Sequence, residues 1–132
     1  MSAREVHIEI INHTGHTLQM DKRTRLAHGE WIITPVNVPN NSSDLFQAGS
    51  DGVLTGVEGI IIYTINGEIE IPLHFDNPYA GSNKYSGRSS DDDYKVITEA
   101  RAEHRANNHD HVTYTVQRNI SRYTNKLCSN NS

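Results

Sequence analysis

Apolar and polar residues alternate over most of the chain, which is the pattern of half-buried β-strands. Val6, Ile8 and Ile10 give the first example, ahead of the turn-prone residues 12–15. Similar patterns predict further strands at residues 17–20, 25–34, 45–48, 56–65, 68–75, 94–98 and 112–118. Because no segment of about 12 residues shows a capped helical period, we predict an all-β fold, either a sandwich or a small barrel.

The strongest local signal is a hairpin in which Asn66-Gly67 joins two apolar strands. Asn-Gly is the favoured pair for a two-residue type I′ turn, since both residues tolerate positive φ. A loop of two residues places Ile65 opposite Glu68. This register assigns seven residues to the buried face: Ile60, Ile62, Thr64, Ile69, Ile71, Leu73 and Phe75.

The other face of the hairpin carries Ile61 and Tyr63, which nothing in the hairpin itself would cover. We expect these two residues to dock a partner protein or another copy of the chain, which would give a homo-oligomer. Pro72 falls opposite Ile61 in this register, where the strand ladder requires an N–H. The sequence therefore predicts a bulge or a local end of pairing at Pro72.

Two aromatic residues are candidates for binding at a surface. Amphipathic rings on exposed loops suit a lipid headgroup boundary or the face of a sugar. Trp31 fits this role and the core equally well, whereas Tyr79 follows a proline in a glycine-rich loop that favours exposure. Asp76 and Asn77 precede Tyr79 and add polar groups. We assign all four residues to a candidate lipid-binding site; the alternative is a carbohydrate-binding lectin in which Tyr79, Asp76 and Asn77 contact the sugar.

Size and charge exclude several classes of protein. A chain of 132 residues fits one domain, and we assign residues 1–119 to it and the polar residues 120–132 to a flexible tail. The formal charge of -4 and scattered basic residues argue against nucleic-acid binding. No apolar signal segment or bilayer-length apolar run is present. The lone Cys128 cannot form an internal disulfide.

Metal-binding and catalytic patterns are weak. His104, His109 and His111 lie near Asp110, but no Cys or HExxH pattern supports zinc, so we interpret them as part of a solvated or pH-responsive loop. Residues 99–108 are rich in Ala without an apolar face, and we interpret them as a polar insertion loop. No nucleophile with a plausible base and no phosphate-binding loop is found, so we predict a non-enzyme without metal or cofactor.

Six segments of the sequence resemble one family of bacterial toxins: residues 1–8, 14–19, 56–59, 63–68, 75–85 and 111–117. They are similar to the small component of the two-component (binary) insecticidal crystal toxins of spore-forming bacilli, which belongs to the aegerolysin-like group. The resemblance covers the chain to about residue 123. It implies a single-domain antiparallel β-sandwich of aegerolysin type, with membrane activity and no enzymatic activity.

The resemblance also implies partners and a setting. The larger partner has a trefoil-like head and an elongated pore-forming body, and the two components together perforate midgut cells of beetle larvae. Aegerolysins bind membrane lipids, often sphingolipids, partly through loop aromatics; Trp31 and Tyr79 fall near such tryptophans, with Tyr79 in place of the second. The toxins are made in the cytoplasm of the sporulating cell, deposited as crystal inclusions, and act at the target membrane after ingestion.

Overall fold

The computed structural model describes residues 4–52, 54–103 and 106–121. His104, Cys128 and all but the first two residues of the predicted tail lie outside these ranges. The described residues form ten strands: β1 (Glu5–His13), β2 (Gln19–Met20), β3 (Arg25–His28), β4 (Glu30–Ile33), β5 (Ser43–Gly49), β6 (Val57–Ile65), β7 (Ile69–Asn77), β8 (Lys84–Gly87), β9 (Tyr94–Glu103) and β10 (Ala106–Arg118). The predicted all-β class is confirmed.

Two sheets make up the fold. The first has the strand order β4-β5-β1-β10-β9 and the second has the order β2-β6-β7-β8, with β3 also paired to β6. The predicted strand 25–34 is divided between them, because β3 pairs with the second sheet and β4 with the first. β1 and β10 are parallel, whereas the other pairings of the described strands are antiparallel.

The core lies between the two sheets and follows the alternation of the sequence. In β1, for example, Val6, Ile8 and Ile10 are fully buried, and the residues between them face outwards. The first sheet also contributes Phe46, Ala48, Val112, Tyr114 and Val116, and the second contributes Val57, Ile61, Tyr63, Ile65, Ile71, Leu73 and Phe75. Each large side chain stabilises the sandwich by about 1.5–3 kcal/mol relative to exposure.

The predicted register of the β6–β7 hairpin is wrong by one residue. Asn66 and Gly67 have the positive φ of a type I′ turn (54° and 69°), and the Glu68 N–H donates to the Ile65 carbonyl at 3.1 Å. Glu68 nevertheless stays outside the ladder, and Ile65 pairs with Ile69. One extra residue after the turn therefore moves the other face of β6 into the core.

This shift places Ile61 and Tyr63 inside the sandwich. Both are completely buried, beside Ile71 and Leu73, which they oppose in the ladder. The Tyr63 hydroxyl donates to the Val36 carbonyl at 2.9 Å. The hypothesis that Ile61 and Tyr63 form an exposed docking surface is therefore wrong, because they belong to the core.

Pro72 does not interrupt the pairing, contrary to the prediction. It lies opposite Ile62 instead of Ile61. The Ile62 N–H donates to Thr24 Oγ1 at 2.9 Å, and its carbonyl accepts from the Asp21 N–H at 2.7 Å. Because both backbone groups of Ile62 point away from β7, no N–H is required of Pro72 towards β6.

Residues 99–108 were also predicted incorrectly as an insertion loop. β9 continues to Glu103 and β10 begins at Ala106, so the described residues of this segment, 99–103 and 106–108, belong to a long antiparallel hairpin. His111 pairs with Arg101 on one side and with His7 of β1 on the other. Cross-strand pairing with an established strand overrides the weak helix preference of the alanines.

Candidate functional site

Three segments meet at one end of the sandwich, which we call the apical end. Glu5 at the start of β1 pairs with Gly49 at the end of β5, and the Ser50 N–H donates to the Arg4 carbonyl at 2.8 Å. The Asn77 side-chain amide donates to the Glu5 carbonyl at 3.2 Å. Three neighbouring segments therefore form this end: the start of β1, the β5–β6 connection and residues 77–83, which we call the apical loop.

Tyr79 projects from the apical loop with 48% of its surface exposed. The Arg4 guanidinium lies 4.7 Å from the centre of the Tyr79 ring, and Arg4 Nη2 donates to the Tyr79 carbonyl at 2.8 Å. The ring is thus held by a cation–π contact and a backbone hydrogen bond, while much of it stays open to solvent. This exposure agrees with the expectation from the Pro- and Gly-containing sequence.

A glycine allows the apical loop to pack closely on the sandwich. A Cβ atom on Gly56 would lie 2.7 Å from the Pro78 Cα and 2.8 Å from both the Asn77 carbonyl oxygen and the Tyr79 nitrogen. Real side chains do not approach a backbone this closely. The start of the apical loop therefore rests directly on the backbone of the β5–β6 connection.

The end of the apical loop is anchored by a buried carboxylate. Asp110 of β10 is only 3% exposed, and the side-chain amide of Asn83 and the hydroxyl of Tyr85 both donate to its Oδ2 atom. The Tyr85 contact measures 2.7 Å. Burial and the bond to Asp110 raise the pKa of Tyr85, which keeps its hydroxyl protonated as a donor.

Asn77 and Asp76 occupy different environments. Asn77 is 1% exposed, so its amide fixes the loop from inside the protein. Asp76 is half-buried on the outer face of the second sheet, between Glu58 and Lys84 in the strand register. Burial and then repulsion by Glu58 raise the pKa of Asp76. Of the four residues assigned from sequence, Tyr79 is the one that projects from the apical loop.

Trp31 begins a run of apolar residues at the edge of the first sheet. Its half-buried ring packs edge-to-face on Phe75, with the ring centres 5.9 Å apart. The following residues Ile32, Ile33 and Val36 are 46%, 48% and 51% exposed. Together with Trp31 they form what we call the apolar strip, in which Trp31 is the base and the aliphatic side chains meet solvent.

An open groove of about 550 Å³ crosses the outer face of the first sheet. Ile33 of the apolar strip and Leu45, which is 61% exposed, form an apolar part of its lining. The rest includes side chains that can form hydrogen bonds: His7, Glu9, Gln47, Glu99, Arg101, His111 and Thr113. The lining residues of the groove come from all five strands of the first sheet. No contiguous sequence motif therefore marks the groove.

The sequence matches the profile of the aegerolysin family over residues 3–119. The chain belongs to the aegerolysin family. A comparison with curated protein sequences gives no match. Over the described ranges, this aegerolysin contains no helix long and apolar enough to cross a bilayer.

Solved structures share the fold of this aegerolysin. The lipid-binding protein Nakanori superposes with a TM-score of 0.76 at 16% identity, covering 87% of this chain and 71% of Nakanori. RahU, crystallised with a Tris molecule, gives 0.73 at 17% identity, with coverages of 89% and 97%. IP-1A from Alcaligenes faecalis gives 0.69 at 16% identity, with coverages of 89% and 93%. At these identities the likeness is one of fold.

In this aegerolysin, the surface features that sequence reasoning missed are Arg4 and the groove. Arg4 lies 75 positions from Tyr79, and only the fold brings their side chains together. The sequence did contain a signal for the exposure of Ile32 and Ile33. Because the apolar run after Trp31 has no polar alternation, an edge strand must expose some of its members. From the sequence alone, Trp31 fitted the surface and the core equally well.

Proposed function

We propose that this aegerolysin binds membrane lipids through the apolar strip and the apical loop. The observation that carries the proposal is the exposure of Ile32, Ile33 and Val36 beside a half-buried Trp31. Single exposed apolar residues are common on protein surfaces, but three within five positions concentrate exposed apolar surface in one segment. Family membership and the fold shared with a lipid-binding protein support the same function.

The physical basis is transfer of apolar side chains into the headgroup region. Burying the exposed half of each aliphatic residue of the strip would contribute about 1 kcal/mol. Tyr79 adds an amphipathic ring of the type that favours the membrane interface. Arg4, stacked on that ring, places a positive charge where lipid phosphates would lie. Binding of this kind requires no covalent chemistry, and we propose a non-enzymatic function.

Vesicle co-sedimentation tests the proposal. We expect wild-type protein to sediment with vesicles of phosphatidylcholine and sphingomyelin or of insect midgut lipid extract. The double variant Ile32→Ser/Ile33→Ser and the single variant Tyr79→Ala should each bind less. Ile97→Ser is the matched control, since Ile97 is 39% exposed on β9 of the same sheet.

Circular dichroism melting should show that each variant is folded. The proposal fails if the wild-type protein binds none of the vesicles, or if the strip and loop variants bind as well as Ile97→Ser. Binding to a glycan array in the absence of vesicle binding would instead favour a lectin.

We further propose that the membrane-bound protein acts as the small component of a binary insecticidal toxin. The support is the resemblance of residues 1–8, 75–85 and 111–117 to that component. In this proposal the protein is deposited as crystal inclusions in sporulating cells, and after ingestion it recruits a larger trefoil-headed partner to midgut membranes, where the pair forms pores. Dye release from midgut-lipid vesicles, measured with and without that partner, tests this step. Absence of release from the mixture would contradict pore formation while leaving lipid binding intact.

A further inference from the structure

Three potential metal ligands converge on the outer face of the first sheet. Glu5 and His7 are two positions apart on β1 and so project to the same side, and His109 of β10 lies opposite Glu5 in the parallel pair. Their ligand atoms all lie within 4.8 Å of one another. His7 Nε2 is 3.2 Å and His109 Nδ1 is 3.8 Å from Glu5 Oε2.

The types of ligand match those of a transition-metal site. Zinc binds imidazole nitrogen and carboxylate oxygen at about 2.0–2.2 Å, and a tetrahedral site with such bonds separates its ligand atoms by about 3.3–3.5 Å. The two distances to Glu5 Oε2 lie close to this value. The third separation, between the two imidazoles, is within 4.8 Å. Side-chain rotations that bring the imidazoles closer would therefore place all three ligands on one ion.

Neighbouring side chains hold this set in place. Gln47 Nε2 donates to Glu5 Oε2 at 2.9 Å, and the His111 ring stacks on the His7 ring with centres 4.8 Å apart and planes 13° apart. The Glu5 side chain is 15% exposed, and those of His7 and His109 are 33% and 37% exposed. Partners that orient metal ligands are typical of functional metal sites, and this degree of exposure leaves a path for an ion.

We propose that Glu5, His7 and His109 bind one divalent transition-metal ion of the zinc type. Two imidazoles and one carboxylate fill three positions, and the fourth is open to water or to an external ligand. Hard cations such as Mg²⁺ prefer oxygen ligands and fit this set poorly. The bound ion would cross-link β1 to β10, two adjacent interior strands of the first sheet, at the apical end.

Isothermal titration calorimetry of the full chain, after dialysis against EDTA, tests the proposal. We expect ZnCl2 to bind with a stoichiometry near one ion per chain, and MgCl2 to give no comparable signal. His7→Gln and His109→Gln should each weaken zinc binding by at least about tenfold, because each removes one of three ligands. Saturating zinc should also raise the thermal unfolding midpoint of the wild type.

His74→Gln is the matched control. His74 forms a similar pair with Glu58, with His74 Nε2 2.9 Å from Glu58 Oε2, but on the second sheet. This variant should bind zinc like the wild type. Its unchanged affinity would show that an isolated His–Glu pair does not account for the signal.

Cobalt gives a second readout that does not depend on stability. Co²⁺ in place of zinc should produce the strong visible absorption of a four-coordinate site in the wild type and lose it in His7→Gln and His109→Gln. The proposal is overturned if the wild type binds no zinc at millimolar concentration, or if neither variant weakens binding relative to His74→Gln. These outcomes are independent of the vesicle assays.

Discussion

The guanidinium of Arg4 lies 4.7 Å from the centre of the Tyr79 ring and also donates to the carbonyl of the same residue at 2.8 Å. One side chain at the start of the first sheet thus holds both the ring and the backbone of the apical loop. Because Arg4 itself is fixed by hydrogen bonds of its backbone to Ser50, the loop is tied to a rigid part of the sandwich.

Replacing Arg4 by Met should loosen the apical loop, since Met keeps an apolar stem but removes the cation and the donor. An exposed cation–π contact contributes about 0.5–1 kcal/mol, so we expect the amides of residues 79–82 to exchange with deuterium about two- to fivefold faster. Arg88→Met, at an exposed position on the chain after β8, is the control. Equal exchange in both variants would show that Arg4 does not restrain the loop.

Gly56→Ala should destabilise the protein and displace the apical loop. The added methyl would approach Pro78 and Tyr79 backbone atoms within 2.8 Å, and such overpacking costs about 1–3 kcal/mol. Gly52→Ala, whose methyl would have the Thr55 side chain as its nearest neighbour at 3.2 Å or more, should change the free energy of unfolding much less. Urea unfolding measures the free energy of unfolding of both variants. Equal losses of this free energy in the two variants would contradict the close packing at Gly56.

The hairpin shows how far local sequence determines this fold. The strands and the positive φ angles at Asn66 and Gly67 could be predicted, because they follow from alternation and from the steric freedom of those two residues. The register could not, since Glu68 lies outside the ladder, and nothing local distinguishes a bulged residue from the first residue of a strand. That single residue decides whether Ile61 and Tyr63 are core or surface.

Contacts between residues that are distant in the sequence could not be predicted from sequence patterns. The parallel pairing of β1 with β10 brings Glu5 beside His109, although 104 positions separate them. The histidine-rich segment was recognisable in sequence, but its neighbours on β1 were not. Tyr79 could be assigned to an exposed loop because Pro78 and Gly81 are local signals, whereas its contact with Arg4 depends on the whole fold.

Asn12→Ala should strongly destabilise the sandwich. The Asn12 side chain is fully buried; its Nδ2 donates to the carbonyls of His16 and Val38 at 2.7 and 2.9 Å, and its Oδ1 accepts from the Thr14 N–H and hydroxyl at 3.0 and 2.8 Å. Removing it leaves the buried Thr14 N–H without its acceptor, whereas the His16 and Val38 carbonyls still accept from the Thr14 hydroxyl and the Leu18 N–H. We expect a cost of about 1–3 kcal/mol in the free energy of unfolding.

Asn40→Ala is the control for Asn12. Asn40 Oδ1 accepts a single hydrogen bond from the Gly15 N–H at 2.9 Å in an exposed setting, where water can replace it. We expect a loss below about 1 kcal/mol. Chemical denaturation measures the free energy of unfolding of both variants. Similar losses of this free energy in the two variants would contradict the conclusion that the buried hydrogen bonds of Asn12 stabilise the fold.

Asp76→Asn should stabilise the protein at neutral pH. Burial, and then repulsion by Glu58, raise the pKa of Asp76 above its ordinary value of 3.8. The folded state therefore disfavours the carboxylate, and this penalty is fully present above the folded pKa and disappears below the unfolded one. We expect Asp76→Asn to have the higher urea midpoint at pH 7 and a midpoint equal to that of the wild type near pH 3. The gain should shrink in a Glu58→Gln background, where one cause of the shift is absent. A lower midpoint for Asp76→Asn at pH 7 would mean that the folded protein favours the charged form of Asp76, with the attraction of His74 and Lys84 outweighing burial.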